Sequence, residues 1–272
     1  MKNSVLTEKL KIGYDETIIV NEFDASFVSG KITSIIGPNG CGKSTVLKAI
    51  GRILKSKSGT IVINDKNIQD LKSKEIAKEL AILPQTPQAP GSITCFDLVA
   101  YGRFPYQKGF GKLSEEDKRI ISWALDVTNM KEYASREIAS LSGGQRQRVW
   151  ISMALAQQTN IIFLDEPTTY LDLNYQLEIL ELLKKLNKEE GVTIVMVLHD
   201  LNLASKYSDY LIAMKDGDIL KYGTPNEVIC KDILRRCFQV DADIEYLDDS
   251  NKPVCFNFKL LRMNKNENKE ND

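Results

Sequence analysis

The chain has 272 residues, 43% hydrophobic and 27% charged, with 36 basic side chains against 37 acidic ones for a net charge of -1. That length supports one domain with subdomains around a sizeable core, and the composition is that of a globular protein rather than a disordered or membrane-spanning one. The balanced charge sets up no overall field for nucleic acid or anionic lipid, so partners must be sought in local sites and no nucleic-acid partner is expected.

From Met1 to Lys11 lysines interleave with apolar residues, without the continuous apolar stretch of a secretory signal, so a cytoplasmic protein is expected. No run approaches the roughly twenty apolar residues that cross a bilayer, so membrane association would go through a separate protein. Short β-branched runs from Val5 to Ile36, broken by Gly13, Asp15, Asn21 and Ser29-Gly30, predict antiparallel strands.

The last of these runs enters Gly37-Pro38-Asn39-Gly40-Cys41-Gly42-Lys43-Ser44-Thr45, which fits G-x-x-x-x-G-K-[ST]. In that pattern bare backbone amides surround phosphates, the lysine balances their charge and the Ser44 hydroxyl is offered to Mg2+. Val46, Leu47, Ile50, Ile53 and Leu54 follow at helical spacing, so the loop opens a helix whose N-terminus favours anions. Cys41 lies where that field favours a thiolate, and its alkylation is expected to block the ligand of this loop, although a small cysteine also fills such a position without reactivity. The five cysteines are far apart and the only histidine is His199, so reduced thiols are expected.

Gly59 to Asn64 predicts a further strand, and residues 87–139 a helical insertion that includes Ile120, Ile121, Trp123, Ala124 and Leu125. Leu141-Ser142-Gly143-Gly144-Gln145 starts a helix with Ser142 as N-cap and two glycines at a second anion site. This reads equally as a plain capped helix. One nucleotide does not need two cradles a hundred residues apart, however, so the second points to another chain's nucleotide and to a dimer.

Asn160 to Asp165 and Val192 to His199 predict buried parallel strands. Ligands bind at the carboxyl ends of such strands, so Asp165, Glu166 and His199 should converge on the glycine-rich loop. The adjacent carboxylates point different ways, which fits Asp165 for Mg2+ and Glu166 for accepting a proton from the attacking water. Without the phosphate loop they read as surface carboxylates. Asp216-Gly217 predicts a hairpin, and the polar segment from Asn264 a disordered tail.

These motifs, in this order, resemble the ATP-binding cassette transporter family from about Val5 to Val240. The resemblance implies an α/β fold: a P-loop NTPase core with an antiparallel β subdomain and an inserted α-helical subdomain, about residues 87–158, containing the signature motif. The cassette would span 1–240 and a C-terminal extension 241–272. It further implies that Tyr14 stacks on adenine, that Gln85 is a metal ligand sensing the membrane partner, and that His199 is the switch histidine at the terminal phosphate. Asp172 would lie in a loop at the dimer contact, and Ser142, Gly143, Gly144 and Gln145 would contact ATP held by the other chain.

The expected cofactors are ATP and Mg2+, and the expected assembly is a homodimer docked on two permease subunits at the cytoplasmic face of the membrane, served by an extracytoplasmic substrate-binding protein. Coupling helices of the permease would dock near Gln85, with Phe104 and Tyr106 either contributing or belonging to the core. Leu83 to Tyr106, Leu141 to Gln157 and Asp165 to Gln176 are most similar to iron–siderophore importers, with cobalamin and haem importers next. A chromosome-maintenance ATPase would need a long coiled-coil insertion that is missing here. A soluble non-transport ATPase of the translation-factor type would usually carry two cassettes, and a pure binding module would have lost Lys43, Glu166 or His199.

Overall fold

In the computed structural model, residues 2–90, 92–107, 112–247 and 251–261 are described. Alternating polar and apolar residues give strands β1 (Asn3–Tyr14) and β2 (Thr17–Val28), paired antiparallel through a turn in which Asp15 takes a positive φ. The expected antiparallel arrangement stops there. Strand β3 (Ile32–Ile36) leaves that sheet, because all five of its residues are buried and it has no polar face to turn to water. Helix α1 (Lys43–Ile50) follows the glycine-rich loop. It ends at Gly51, earlier than the helical spacing implied, and Ile53 beyond it is 60% exposed.

Strands β4 (Ser58–Ile63) and β5 (Lys66–Asn67) complete the antiparallel sheet in the order β2-β1-β4-β5. Helix α2 (Ser73–Glu79) leads into β6 (Leu80–Leu83). Helices α3 (Cys95–Ala100), α4 (Glu115–Val127) and α5 (Gly143–Ala156) form the inserted helical block. Buried Arg103 ties it together, donating to Asp117 Oδ1 and to the Ala156 carbonyl, each at 2.8 Å.

Strand β7 (Ile161–Leu164), helix α6 (Leu173–Glu190), strand β8 (Thr193–Val197), helix α7 (Leu201–Tyr207) and strands β9 (Tyr210–Lys215) and β10 (Asp218–Gly223) build the rest of the core. The central sheet runs β10-β9-β3-β8-β7-β6, with only β10 antiparallel to its neighbour. The β9–β10 hairpin turns at Asp216-Gly217, both at positive φ, as predicted.

Side chains alternate across this sheet and divide the core. Ile162, Leu164, Ile194 and Met196 pack towards α5 and α6, while Ile161, Phe163, Val195 and Val197 pack towards α1 and the antiparallel sheet. Burying each such side chain contributes about 1.5–3 kcal/mol. The expected C-terminal extension, 241–272, supplies most of a further hairpin, β11 (Val240–Leu247) with β12 (Lys252–Leu260). The expected tail from Asn264 lies outside the described residues. Among the described residues no helix is long and apolar enough to cross a membrane.

Candidate functional site

The sheet order places the carboxyl ends of β3, β6, β7 and β8 side by side, at the edge where open α/β sheets bind ligands. A cleft of about 480 Å3 opens there. Asn39, Gly40, Gly42, Lys43, Ser44 and Thr45 form its floor, and Tyr14 and Ile19 stand on the side of the antiparallel sheet. Gln85, Glu166, Thr169, Tyr170 and His199 form the remaining wall.

The glycines of the floor are dictated by geometry. A Cβ on Gly37 would meet the Met214 carbonyl oxygen at 2.2 Å and Cys41 Sγ at 2.9 Å. Gly42 has φ of 103° and would collide with a Val20 methyl at 2.8 Å, so only glycine closes the loop onto α1. Lys43 is 5% exposed, and its Nζ donates to the Gly37 and Pro38 carbonyls at 2.9 and 2.8 Å. The ammonium is thus aimed into the ring of loop amides, where phosphate oxygens would bind.

Ser44 Oγ donates to Asp165 Oδ1 at 2.7 Å. Asp165 is 5% exposed, and burial pushes its carboxyl above the usual range against the opposing effect of Ser44. With Gln85 nearby, the donors are hydroxyl, carboxylate and amide oxygens, a hard set that suits Mg2+. The raised value also makes a prediction about stability. The ionised carboxylate is favoured less in the folded chain than in the unfolded one, so it costs stability above its folded pKa and costs none once protonated at low pH. Asp165→Asn keeps an acceptor for Ser44 without the buried charge. It should raise the melting temperature of the nucleotide-free protein by roughly 2–4 °C at neutral pH, with the gain shrinking under acid, as differential scanning fluorimetry across pH would read.

Strand β7 ends at Leu164, and Glu166 turns out of it with φ of 52°. That left-handed backbone, strained for a non-glycine residue, swings its carboxylate away from Asp165 and towards three donors. Oε1 meets His199 Nε2 at 2.7 Å, and Oε2 accepts from Thr169 Oγ1 at 2.9 Å and from Gln85 Nε2. The structure therefore brings Lys43, Ser44, Gln85, Glu166 and His199 into one cleft, with Tyr14, 44% exposed, at its rim and buried Asp165 joined to it through Ser44. Thr169 and Tyr170 join the cleft without any motif that marks them. Their only signal was position, immediately beyond the carboxylate pair.

The signature residues are not part of this cleft. Ser142 caps α5 in a reciprocal box: its Oγ accepts from the Gln145 N–H at 3.3 Å, and its own N–H donates to Gln145 Oε1 at 3.1 Å. Gly144 packs under Tyr175, whose ring a Cβ would meet at 2.7 Å. Asp172 is exposed at the N-cap of α6, next to this surface. Phe104 is 57% exposed and stacks on Tyr101 with centroids 5.0 Å apart, while half-buried Tyr106 donates its hydroxyl to the Gln157 carbonyl at 2.9 Å.

The expectation for Cys41 is corrected. Its side chain points into the core, 3% exposed, and burial raises the thiol above its ordinary value, outweighing the attraction of Lys43. Desolvation defeats the helix N-terminus, and the residue serves as a small packing group.

Fold and cleft together define a P-loop nucleotide-binding protein. Its family profile match is "ABC transporter", over residues 20–169. The chain is 57% identical over 263 residues to the iron(3+)-hydroxamate import ATP-binding protein FhuC of Bacillus subtilis, covering 97% of this chain and 98% of that one. It is 42% identical over 231 residues to the ferric enterobactin transport ATP-binding protein FepC of Escherichia coli, covering 85% of each. The dimeric post-hydrolysis structure of the ATP-binding cassette MJ0796, bound to ADP and Pi, superposes with a TM-score of 0.70 at 31% identity, covering 81% of this chain and 98% of that one. The chain belongs to the ABC transporter family and is its ATP-binding, ATP-hydrolysing component.

Proposed function

We propose that this chain energises an importer of ferric siderophores, hydroxamates foremost, by hydrolysing ATP between two copies of itself. The catalytic half is carried by the convergence of Gln85, Thr169 and His199 on the Glu166 carboxylate, at the end of a cleft floored by the phosphate loop. Glu166 accepts a proton from water as that water attacks the terminal phosphorus and the bond to ADP breaks, which contributes roughly 10²–10⁴-fold in rate. Lys43 and the loop amides hold the phosphates, His199 contacts the terminal one, and Tyr14 stacks on adenine. Ser44, Asp165 and Gln85 would hold Mg2+, which supplies positive charge against the phosphates when bound.

The second copy is supported by the separation of the capped Ser142-Gly143-Gly144 amides from the chain's own cleft. They are free to close over the nucleotide of the partner, with Asp172 at the contact. Two copies dock on two permease subunits, with Phe104 and Tyr101 among the exposed residues offered to them, and this places the chain at the cytoplasmic face of the membrane. The cargo assignment rests on full-length likeness to ATPases named for iron chelates. It is tested by co-purifying the chain with its permease and measuring radioiron uptake with defined siderophores. Uptake of ferric hydroxamates that is lost with the Lys43→Ala chain supports it; normal iron uptake with failed cobalamin or haem uptake overturns it.

A further inference from the structure

We propose that the C-terminal β11–β12 hairpin fixes the position of His199 against Glu166, acting through Asn202 as a positioning residue for hydrolysis. This rests on the role of His199 proposed above.

His199 stands just ahead of helix α7, with only Asp200 and Leu201 between it and Asn202. The helix has seven residues, too few to hold itself by intrinsic helicity, since isolated helices below about 12–15 residues are marginal in water. Its orientation is set by what grips it, and β12 grips it along its length. Asn202 Nδ2 donates to the Cys255 carbonyl at 3.0 Å, and its Oδ1 accepts from the Cys255 N–H at 2.8 Å. One turn on, Ser205 Oγ donates to the Pro253 carbonyl at 2.7 Å. At the far end Lys252 Nζ donates to the carbonyls of Lys206 and Ser208 at 3.1 and 2.6 Å, where an ammonium also complements the helix dipole.

The hairpin is itself anchored. Ala242 and Cys255 are 3% and 2% exposed within the core that holds α6 and α7, and burial pushes the Cys255 thiol up to about 11. A reciprocal amide-to-backbone pair fixes both distance and rotation, and it is the attachment nearest His199. Its loss lets α7 turn and the imidazole leave Glu166, which sits 2.7 Å away. The grip of Lys43 and the loop between β3 and α1 on the phosphates is untouched by such a motion, so ATP is still held while the contact of His199 is lost.

The test uses the full-length chain and the fact that His199 is its only histidine, so one imidazole Cε1–H signal in the NMR spectrum reports this contact directly. Asn202→Ala should lower kcat by about tenfold to a hundredfold with KM for ATP within about twofold, and should move the imidazole signal towards its position in Glu166→Gln protein. Asn202→Asp, isosteric and compatible with a helix N-terminus, loses the donor and should do the same if the alanine variant does not fold. Ser205→Ala removes a bond of the same grip farther from His199. It should lower the melting temperature yet leave kcat and the signal at wild-type values. In a His199→Ala background, Asn202→Ala should slow the residual rate no further.

Unchanged kcat and signal in both Asn202 variants overturn the proposal. So does an equal loss of kcat in Ser205→Ala, which would make the hairpin a general stabiliser. Wild-type hydrolysis by His199→Ala alone would instead remove the role of the histidine, and the NMR signal would still read the grip of the hairpin.

Discussion

Glu166→Gln protein should bind ATP normally and hydrolyse it about 10²–10⁴-fold more slowly than wild type, because glutamine keeps the size of the base and none of its proton affinity. The surroundings of Glu166 make the substitution mild for folding. One carboxylate oxygen serves His199 and the other serves Thr169 and Gln85. A glutamine retains one acceptor, and the Gln85 amide can turn over to present its oxygen to the new NH2 group. ATP that bridges two chains leaves by being cleaved, so the variant should accumulate as an ATP-dependent dimer where wild type without its permease is monomeric. Light scattering after size exclusion reads this.

Adding Ser142→Arg should return that dimer to monomer while leaving each chain's own phosphate loop filled. The arginine removes a helix cap, at a cost of about 1 kcal/mol, and sets a bulky group over the Gly143 and Gly144 amides. Hydrolysis at the wild-type rate would sink the role of the base, and a monomer at saturating ATP and micromolar protein would sink the shared site.

Lys43→Ala should weaken ATP binding by about 2–5 kcal/mol, a loss of at least roughly thirtyfold in affinity, with the fold intact. The Nζ is nearly buried but is surrounded by loop carbonyls and not by apolar core, so its removal opens polar groups to water at the cleft and leaves no hydrophobic cavity. Lys43→Arg should not restore binding, since the planar guanidinium is larger than the ring that Gly37 and Gly42 close. Fluorescent nucleotide titration with a thermal melt on the same samples separates the two effects. Unchanged affinity in the alanine variant would remove the lysine from the site.

Much of this protein is set by local sequence. The phosphate loop, the apolar strand ending in Asp165-Glu166, the Ser142 capping box and the Asp216-Gly217 hairpin all follow from neighbours within a few residues. The reason is that amide geometry, strand alternation and turn conformation act over that range. Other features depend on which distant segments meet. Ile32–Ile36 could be assigned to the parallel sheet only once β8 and β9 flanked it. Cys41 carries the pattern of an activated thiol, and only the packing behind the loop decides that it is desolvated. Glu166 faces Gln85 and His199 because of a left-handed backbone and the order of four strand ends, neither of which is written in the motif. The grip of Pro253 and Cys255 on α7 is likewise invisible in the chain. It consists of backbone groups at a strand edge, and any sequence offers those until the fold chooses their partners.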